Sequence, residues 1–358
     1  MKKNDIKNYS ADELARYFND LGEKAFRITQ VFEWLYQKNT DSFDAMKNMP
    51  KKLREKLARD FSWGAFKSTP LQKKSSDGTV KFLFTLYDGE TIETVLIPTQ
   101  SRTTVCVSTQ VGCKFACRFC ASGVDGWRRN LTCAEILEQI LHAKGYVKNH
   151  IEPVSGFKHQ ANVTHVVFMG VGEPLDNYDQ VLKAVRIINS PQAFGIAARR
   201  ITISTCGLIP QIERLKTAGL QIELSVSLHG YNDAVRRQLM PVSSRYGLSD
   251  LITACREYSR ATKRQITFEY ILIKDLTCSK HAADALAHLL KGLLCKINLI
   301  PFNKVIESPY SSPSRREVLA FRQALQKKGI VATIRTPRGQ DIEAACGQLR
   351  YGQEKSPD

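Results

Sequence analysis

At 358 residues, 43% of them hydrophobic and 24% charged, the chain is too apolar to be disordered and is long enough for one large core with a smaller companion domain. No stretch approaches the roughly 18 consecutive apolar residues that a membrane helix needs, and the polar N-terminus has no leader-like apolar core, so a soluble, unexported, cytoplasmic protein is expected. Its ten cysteines do not suit the disulfide framework of a small secreted domain and predict reduced thiols or ligands, and the net charge of +17 points to a polyanionic partner, foremost nucleic acid.

In chain order, Ser10-Ala11-Asp12-Glu13 is a capping box that opens a first helix ending at Leu21-Gly22. Phe26, Val31, Phe32, Leu35 and Tyr36 form the apolar stripe of the next helix, and Met49-Pro50 starts a basic helix with Lys51, Lys52, Arg54, Lys56 and Arg59. Residues 1–75 therefore read as a small helical domain. Strands over Val80–Tyr87 and Thr91–Ile97, joined through Asp88-Gly89, predict a hairpin that serves as a linker over 76–101.

From residue 102 strands and helices alternate. Strands are predicted at Thr103–Ser108, Val163–Phe168, Arg200–Thr205, Ile222–Leu228, Ile266–Ile273, Lys296–Ile300 and Val331–Arg335. Helices follow the capping box Thr132-Cys133-Ala134-Glu135 and cover Tyr178–Ile188 and Ser279–Leu294. This repetition specifies a parallel sheet with right-handed crossovers, either doubly wound or curved into a barrel. A core over 102–340 is followed by a segment over 341–358 with a polar tail, Glu354–Asp358. Residues 1–100 carry 17 Lys+Arg against 14 Asp+Glu, which leaves +14 for the rest of the chain. The doublets Arg128-Arg129, Arg199-Arg200, Arg236-Arg237, Lys263-Arg264 and Arg315-Arg316 suit a surface that meets phosphates, although any one of them is equally ordinary solvated charge.

The unusual residues gather after strand ends. Cys113, Cys117 and Cys120 follow the first core strand with CxxxCxxC spacing and no fourth cysteine beside them. Three thiolates can grip a four-iron cluster and leave one iron open to a small chelating molecule. Zinc is the competing occupant, but its structural sites are usually paired CxxC units closed by a fourth ligand. Gly170 to Pro174 follows the second strand, Ser204 to Gly207 ends the third, Ser227-Leu228-His229 ends the fourth, and Pro301-Phe302-Asn303 follows the sixth. Ligands of parallel α/β folds sit at that end, so one site around the cluster is the economical reading. Plainer roles exist for each: a tight turn for Gly170 and Gly172, a carboxylate satisfying helix N-terminal amides for Glu173, caps for Ser204 and Ser227, and an ordinary polar strand end for His229.

CxxxCxxC with Phe119 before its last cysteine, followed by Gly172-Glu173-Pro174, resembles the radical S-adenosylmethionine (SAM) enzymes. Together with Cys106 to Cys113, Phe168 to Leu175, Ser225 to His229 and Ala344 to Leu349, the chain resembles the RlmN/Cfr family of RNA methyltransferases over nearly its whole length. The resemblance implies a partial (β/α)6 TIM-like barrel of the radical SAM type, one 4Fe-4S cluster on Cys113, Cys117 and Cys120, and two SAM molecules per turnover. It implies 23S rRNA and tRNA substrates, an electron donor such as flavodoxin or ferredoxin, no membrane partner, and a monomer. Cys346 would carry the methyl group, Cys106 would release the product through a transient disulfide with Cys346, and Glu93 would remove the ring proton. Gly172, Glu173, Ser204, Ser227, Leu228, His229 and Asn303 would hold SAM.

Within the family, Pro174 favours the RlmN type, which methylates adenine C2, over the Cfr type, which methylates C8. Val171 departs from the methionine frequent in the RlmN type. A metal-stabilised, non-catalytic RNA-binding module is the alternative of another class, but it leaves Cys106 and Cys346 unexplained. Cys133, Cys206, Cys255, Cys278 and Cys295 match no functional position and are expected to be buried thiols.

Overall fold

The computed structural model describes residues 3–150, 162–303 and 309–350. The polar tail Glu354–Asp358 lies outside them. Helices α1 (Ala11–Asp20), α2 (Phe26–Phe32) and α3 (Lys51–Asp60) form the N-terminal unit. The Ser10 hydroxyl accepts from the Glu13 N–H, and the Glu13 carboxylate accepts from the Ser10 N–H, the reciprocal cap expected from the sequence.

A single ten-stranded sheet follows, in the order β1 (Leu71–Lys74), β2 (Val80–Thr85), β3 (Thr91–Pro98), β4 (Thr103–Cys106), β7 (His165–Phe168), β8 (Ile201–Thr205), β9 (Glu223–Ser227), β10 (Ile266–Leu272), β11 (Cys295–Pro301) and β12 (Ala332–Ile334). Strands β4 and β7 to β12 are parallel, and β1 to β3 continue the sheet antiparallel from the β4 edge. The hairpin is thus part of the core sheet rather than a linker, and its register sets Val95 opposite Cys106. Crossovers run through α4 (Cys133–His150), α5 (Tyr178–Asn189), α6 (Ile209–Lys216), α7 (Asp233–Leu239) with α8 (Leu248–Thr262), α9 (Lys280–Leu289) and α10 (Arg315–Lys327), the six of a (β/α)6 half-open barrel.

Side-chain alternation gives the sheet two unlike faces. Val105, Val166, Phe168, Ile203, Leu224, Val226, Phe268 and Leu299 point outward and are buried in the main hydrophobic core. The opposite set, including Thr104, His165, Thr202, Ser225, Glu269, Asn298 and Thr333, lines one cavity of about 830 Å³ that reaches from β3 to β12, so the sheet is curled around a polar lumen. The chain after β12 crosses the open side. Asp341 accepts from the Ser75 and Ser76 hydroxyls, the Gly339 N–H donates to Asp77 Oδ2, and the Arg350 N–H donates to Glu93 Oε2 at 2.9 Å.

Three short pieces are absent from the sequence reading. Strand β1 is wholly exposed and polar, so no alternation marks it. The ribbon of β5 (Gln110–Gly112) and β6 (Trp127–Asn130) is too short and polar to show a period, yet it brackets the cysteine motif.

The N-terminal unit docks on α4 and α5 through buried charge. Lys7, 1% exposed, lies 3.2 Å from both Asp5 and Glu138, Asn8 Oδ1 caps the Ala134 N–H, and Lys183 pairs with Glu13 at 2.9 Å. Replacing Lys7 with methionine leaves two carboxylates facing each other without their cation and is expected to destabilise the fold by roughly 3 kcal/mol, read as a lower denaturant midpoint. An unchanged midpoint would show that the docking does not depend on this charge.

Candidate active site

The first parallel strand ends at Cys106, and the chain passes through β5 into the cysteine loop. Gly112 sits at φ +72°, and a Cβ there would lie 1.9 Å from the Gly126 carbonyl oxygen, so glycine is what lets β5 and β6 close tightly beneath the loop. Cys113, Cys117 and Cys120 line one cavity together with Gly170, Gly172, Glu173, Pro174, Ser204, Ser227, His229, Phe302, Asn303 and Cys346. All five predicted segments therefore meet at the carboxyl ends of the strands. Burial first, and then the neighbouring thiols, pushes the Cys117 thiol well above its ordinary range. The three side chains line one cavity wall, and three thiolates with no other cysteine in the loop that carries them suit a four-iron cluster with one open corner.

The glycine turn is pressed against the β4–β5 connection. A Cβ on Gly170 would meet Ser108 at 2.7 Å, and one on Gly172, at φ +102°, would meet Gln110 at 2.6 Å. Ser108 Oγ and Gln110 Oε1 in turn accept from the Val171 and Glu173 N–H groups, which leaves the other side of the turn to form cavity wall. Val171 itself is buried behind it. Glu173 is 4% exposed, and its carboxylate accepts from the Leu175 N–H at 3.0 Å and the Cys206 N–H at 2.6 Å, the plainer role the sequence offered.

His229 sits at φ +50°, and its Nδ1 accepts from the Ile271 N–H at 3.0 Å. Burial, then Arg236, drives its pKa down to about 3, so the ring is neutral with its proton on Nε2. Phe119 packs edge-on against it at 4.6 Å. Leu228 does not reach the cavity: its N–H donates to the Glu269 carbonyl, and its own carbonyl accepts from Arg236 and Gly230. Asn303 is turned to the C-terminal segment, donating to the Cys346 carbonyl at 3.2 Å and accepting from Gln340 at 2.8 Å.

The C-terminal segment is fastened to the cysteine loop through its main-chain carbonyls, Gly347 accepting from the Ala121 N–H at 2.7 Å and Leu349 from the Ser122 hydroxyl at 2.8 Å. Cys346 thereby stands in the wall shared by the cysteine-lined cavity and the 830 Å³ lumen, along with Met169, Glu269, Ile300, Asn303 and Arg335. Cys106 faces the same lumen within a small apolar cluster of Val95, Val171, Ala344 and Leu349. Burial, and then Cys346, pushes the Cys106 thiol up to about 12, while Arg335 opposes the rise. Glu93 is buried on β3 rather than exposed on a hairpin, and Lys81 lies 2.8 Å from it.

Two arginines escaped the sequence reading. Arg335 occupies an inward-facing position at the end of the last predicted strand, where a charge among lumen residues was the available signal. Arg236 belongs to a doublet read as phosphate-facing, yet it is fully buried. Its guanidinium donates to the carbonyls of Cys206, Ser227 and Leu228 and to Ser243 Oγ, tying the ends of β8 and β9 beside the cysteine loop. Of the remaining cysteines, Cys133, Cys206, Cys255 and Cys295 are buried as expected, and Cys278 is half-buried.

Comparison with known proteins agrees with this geometry. Residues 4–62 match the family model of the ribosomal RNA large subunit methyltransferase N-terminal domain, and residues 107–279 match that of the radical SAM superfamily. The chain is 44% identical over 350 residues to a probable dual-specificity RNA methyltransferase RlmN of Geobacillus kaustophilus, covering 98% of this chain and 93% of the relative. It is 42% identical to the protein so named in Clostridium novyi, covering 96% and 97%. A crystal structure of a radical SAM methyltransferase from Sphaerobacter thermophilus superposes with a TM-score of 0.89 at 41% identity, covering 97% of this chain and 99% of that one. Radical SAM proteins use an iron–sulfur cluster and SAM, and the cysteine-lined cavity offers residues for both. From the helical N-terminal unit to the Cys346 segment, the chain belongs to the RlmN family of radical SAM RNA methyltransferases.

Proposed function

We propose that the protein methylates C2 of a specific adenosine in the peptidyl transferase region of 23S rRNA, and of an adenosine beside the anticodon in some tRNAs, with Cys346 as methyl carrier. The observation that carries this reading is the placement of Cys346 between the cysteine-lined cavity and the lumen that also holds Cys106. Dual-specificity RNA methyltransferase is the printed name of the relatives, and Pro174 is the residue here that favours C2 over C8.

Cys113, Cys117 and Cys120 would hold one 4Fe-4S cluster through their three thiolates, and the wall formed by Gly172, Glu173, Ser204, Ser227 and His229 would bind SAM beside it. Bound there, these groups supply the methyl group and, after one-electron reduction by a flavodoxin- or ferredoxin-like donor, the hydrogen-abstracting radical, using two SAM molecules per turnover. Adenine C2 is not nucleophilic, so a carrier is required. Cys346 accepts the methyl group on sulfur, loses one of its hydrogens, and presents the resulting carbon radical to the base across the lumen. Glu93, held between Lys81 and the Arg350 N–H, takes the proton from the substituted carbon. The unpaired electron that the addition leaves on the ring would return to the oxidised cluster; Cys106 then attacks the Cys346 sulfur, which breaks the carbon–sulfur bond, and the freed carbon takes up a proton to become the methyl group of the released base while the two sulfurs join in a disulfide that a cellular thiol reductant reopens. Asn303 and Leu228 are better placed to hold the carrier segment and the strand end than to touch SAM. The protein acts as a monomer in the cytoplasm, where its RNA substrates are found.

The test is nucleoside mass spectrometry of 23S rRNA and tRNA incubated with anaerobically reconstituted protein. The expected product is 2-methyladenosine, with about four irons per chain and one methyl group on Cys346. The 8-methyl product alone would replace this reading with Cfr-type chemistry, and zinc without a methyl group on Cys346 would replace it with a structural RNA-binding role.

A further inference from the structure

The lumen has a second end. Opposite the cysteine loop, where the parallel strands begin, the same 830 Å³ cavity is lined by Arg102 before β4, His165 at the start of β7, Arg199 before β8, Arg264 before β10 and Lys296 at the start of β11. Arg264 is paired with Glu223. Among the described residues, Arg102, Arg199 and Lys296 form no salt bridge, and although Lys296 also lies in the field of Glu269, the rim carries an excess of positive charge. The field registers on His165, whose pKa is lowered first by burial and then by Arg102 and Arg200.

Cations around a cavity mouth with no ion-pair partner among the described residues are suited to holding an anion, because no salt bridge there takes up the charge of Arg102 or Arg199. The mouth leads inward past Thr267, Asn298 and Thr333 to Cys106 and Cys346. From Lys296 to Ile300 the depth is four residues of β11, about 13 Å at the strand rise, so a group held at the rim can extend a ring to the shared wall. The cysteine-lined cavity opens at the other end of the strands.

We infer that Arg102, Arg199 and Lys296 form a phosphate clamp at the amino-terminal mouth of the barrel, gripping the RNA backbone on either side of a flipped-out nucleotide whose base enters the lumen from the face opposite the cluster. The inference rests on the RNA-methyltransferase reading and adds to it the route of the substrate and the residues that hold it. A flipped base needs its flanking phosphates fixed while the base itself enters a pocket, and a ring of arginine and lysine supplies that without reading sequence. Access from opposite faces also separates the two ligands of the reaction, so RNA can leave while the SAM wall stays formed.

The test compares two triple variants with equal loss of charge. Arg102→Gln, Arg199→Gln and Lys296→Gln alter the mouth, whereas Lys274→Gln, Lys280→Gln and Arg315→Gln alter exposed positions beyond the other strand ends. Affinity for a stem-loop RNA carrying an unpaired adenosine is measured against salt concentration with reconstituted full-length protein. The mouth variant is expected to bind at least tenfold more weakly, and its log–log salt slope to fall by about 2, the effect of three lost contacts to single-stranded phosphate. The opposite-end variant should match the wild type. Iron content and the unfolding midpoint of the mouth variant, compared with the wild type, distinguish lost binding from lost folding. Equal binding by both variants, or a larger loss in the opposite-end variant, overturns the clamp while leaving the methyltransferase reading intact. Failure of the wild type to methylate RNA is the separate outcome that removes the reading beneath it.

Discussion

Cys346→Ala is expected to abolish RNA methylation, with a loss of at least about 10⁴-fold, while the protein still folds and binds its cluster. On the proposed mechanism the substitution removes the atom that bears the transferred carbon, so the bond to it cannot form. Its structural cost is small because the carrier segment is held by main-chain bonds, Gly347 to Ala121 and the Cys346 carbonyl to Asn303, which alanine preserves. Transfer of a labelled methyl group to RNA reads the activity, and intact mass reads the carrier: the wild type should be heavier by one methyl group and the variant should not. Methylation at the wild-type rate by the variant would mean that the base takes its methyl group from another atom, and the position of Cys346 in the shared wall would need a different reason.

Much of the site was legible before the fold was known, for a physical reason. Parallel α/β architecture collects strand-end residues at one face, so the order of strands and odd residues along the chain predicted which segments would meet. Cys113, Gly172, Ser204, Ser227 and Asn303 did meet. What stayed hidden depended on pairing and depth. Glu93 reads as a solvated hairpin residue until β3 is seen to pair with β4, which buries it beside Lys81. Arg236 reads as surface charge because local sequence does not report burial, and its carbonyl acceptors come from three separate positions on the ends of β8 and β9. The β5–β6 ribbon carries too few residues for a period to appear. The basic doublets likewise divide only once the fold is known. Arg129 is bound to Asp88 and Glu135, Arg264 to Glu223, and Arg199, which has no carboxylate partner among the described residues, lies at the mouth because the start of β8 places it there.

Cys106→Ala is expected to change the outcome in kind: RNA should accumulate covalently attached to the protein. On the proposed mechanism, once the carrier carbon has joined the base the product is a thioether on Cys346, and its release needs a nucleophile that can reach that sulfur. Cys106 faces the same lumen within the apolar cluster that lines the carrier segment. Burial holds the Cys106 thiol up at about 12, so at neutral pH it is protonated, and the Arg335 guanidinium is the nearby charge that favours the attacking thiolate. Product release in the wild type should therefore quicken as pH rises. In the alanine variant this step is absent, and the loss of one sulfur from a small cluster costs only about 1 kcal/mol of stability. A denaturing gel of variant and RNA after anaerobic turnover should show a protein–RNA band approaching one RNA per chain, which digestion reduces to an adenine-bearing peptide containing Cys346. Free methylated RNA at the wild-type rate would remove Cys106 from the reaction. An adduct mapped to any other residue would move the carrier elsewhere. The two cysteine variants thus divide the reaction at its covalent stage, Cys346→Ala blocking before the bond to RNA forms and Cys106→Ala after, so the double variant should show neither product nor adduct.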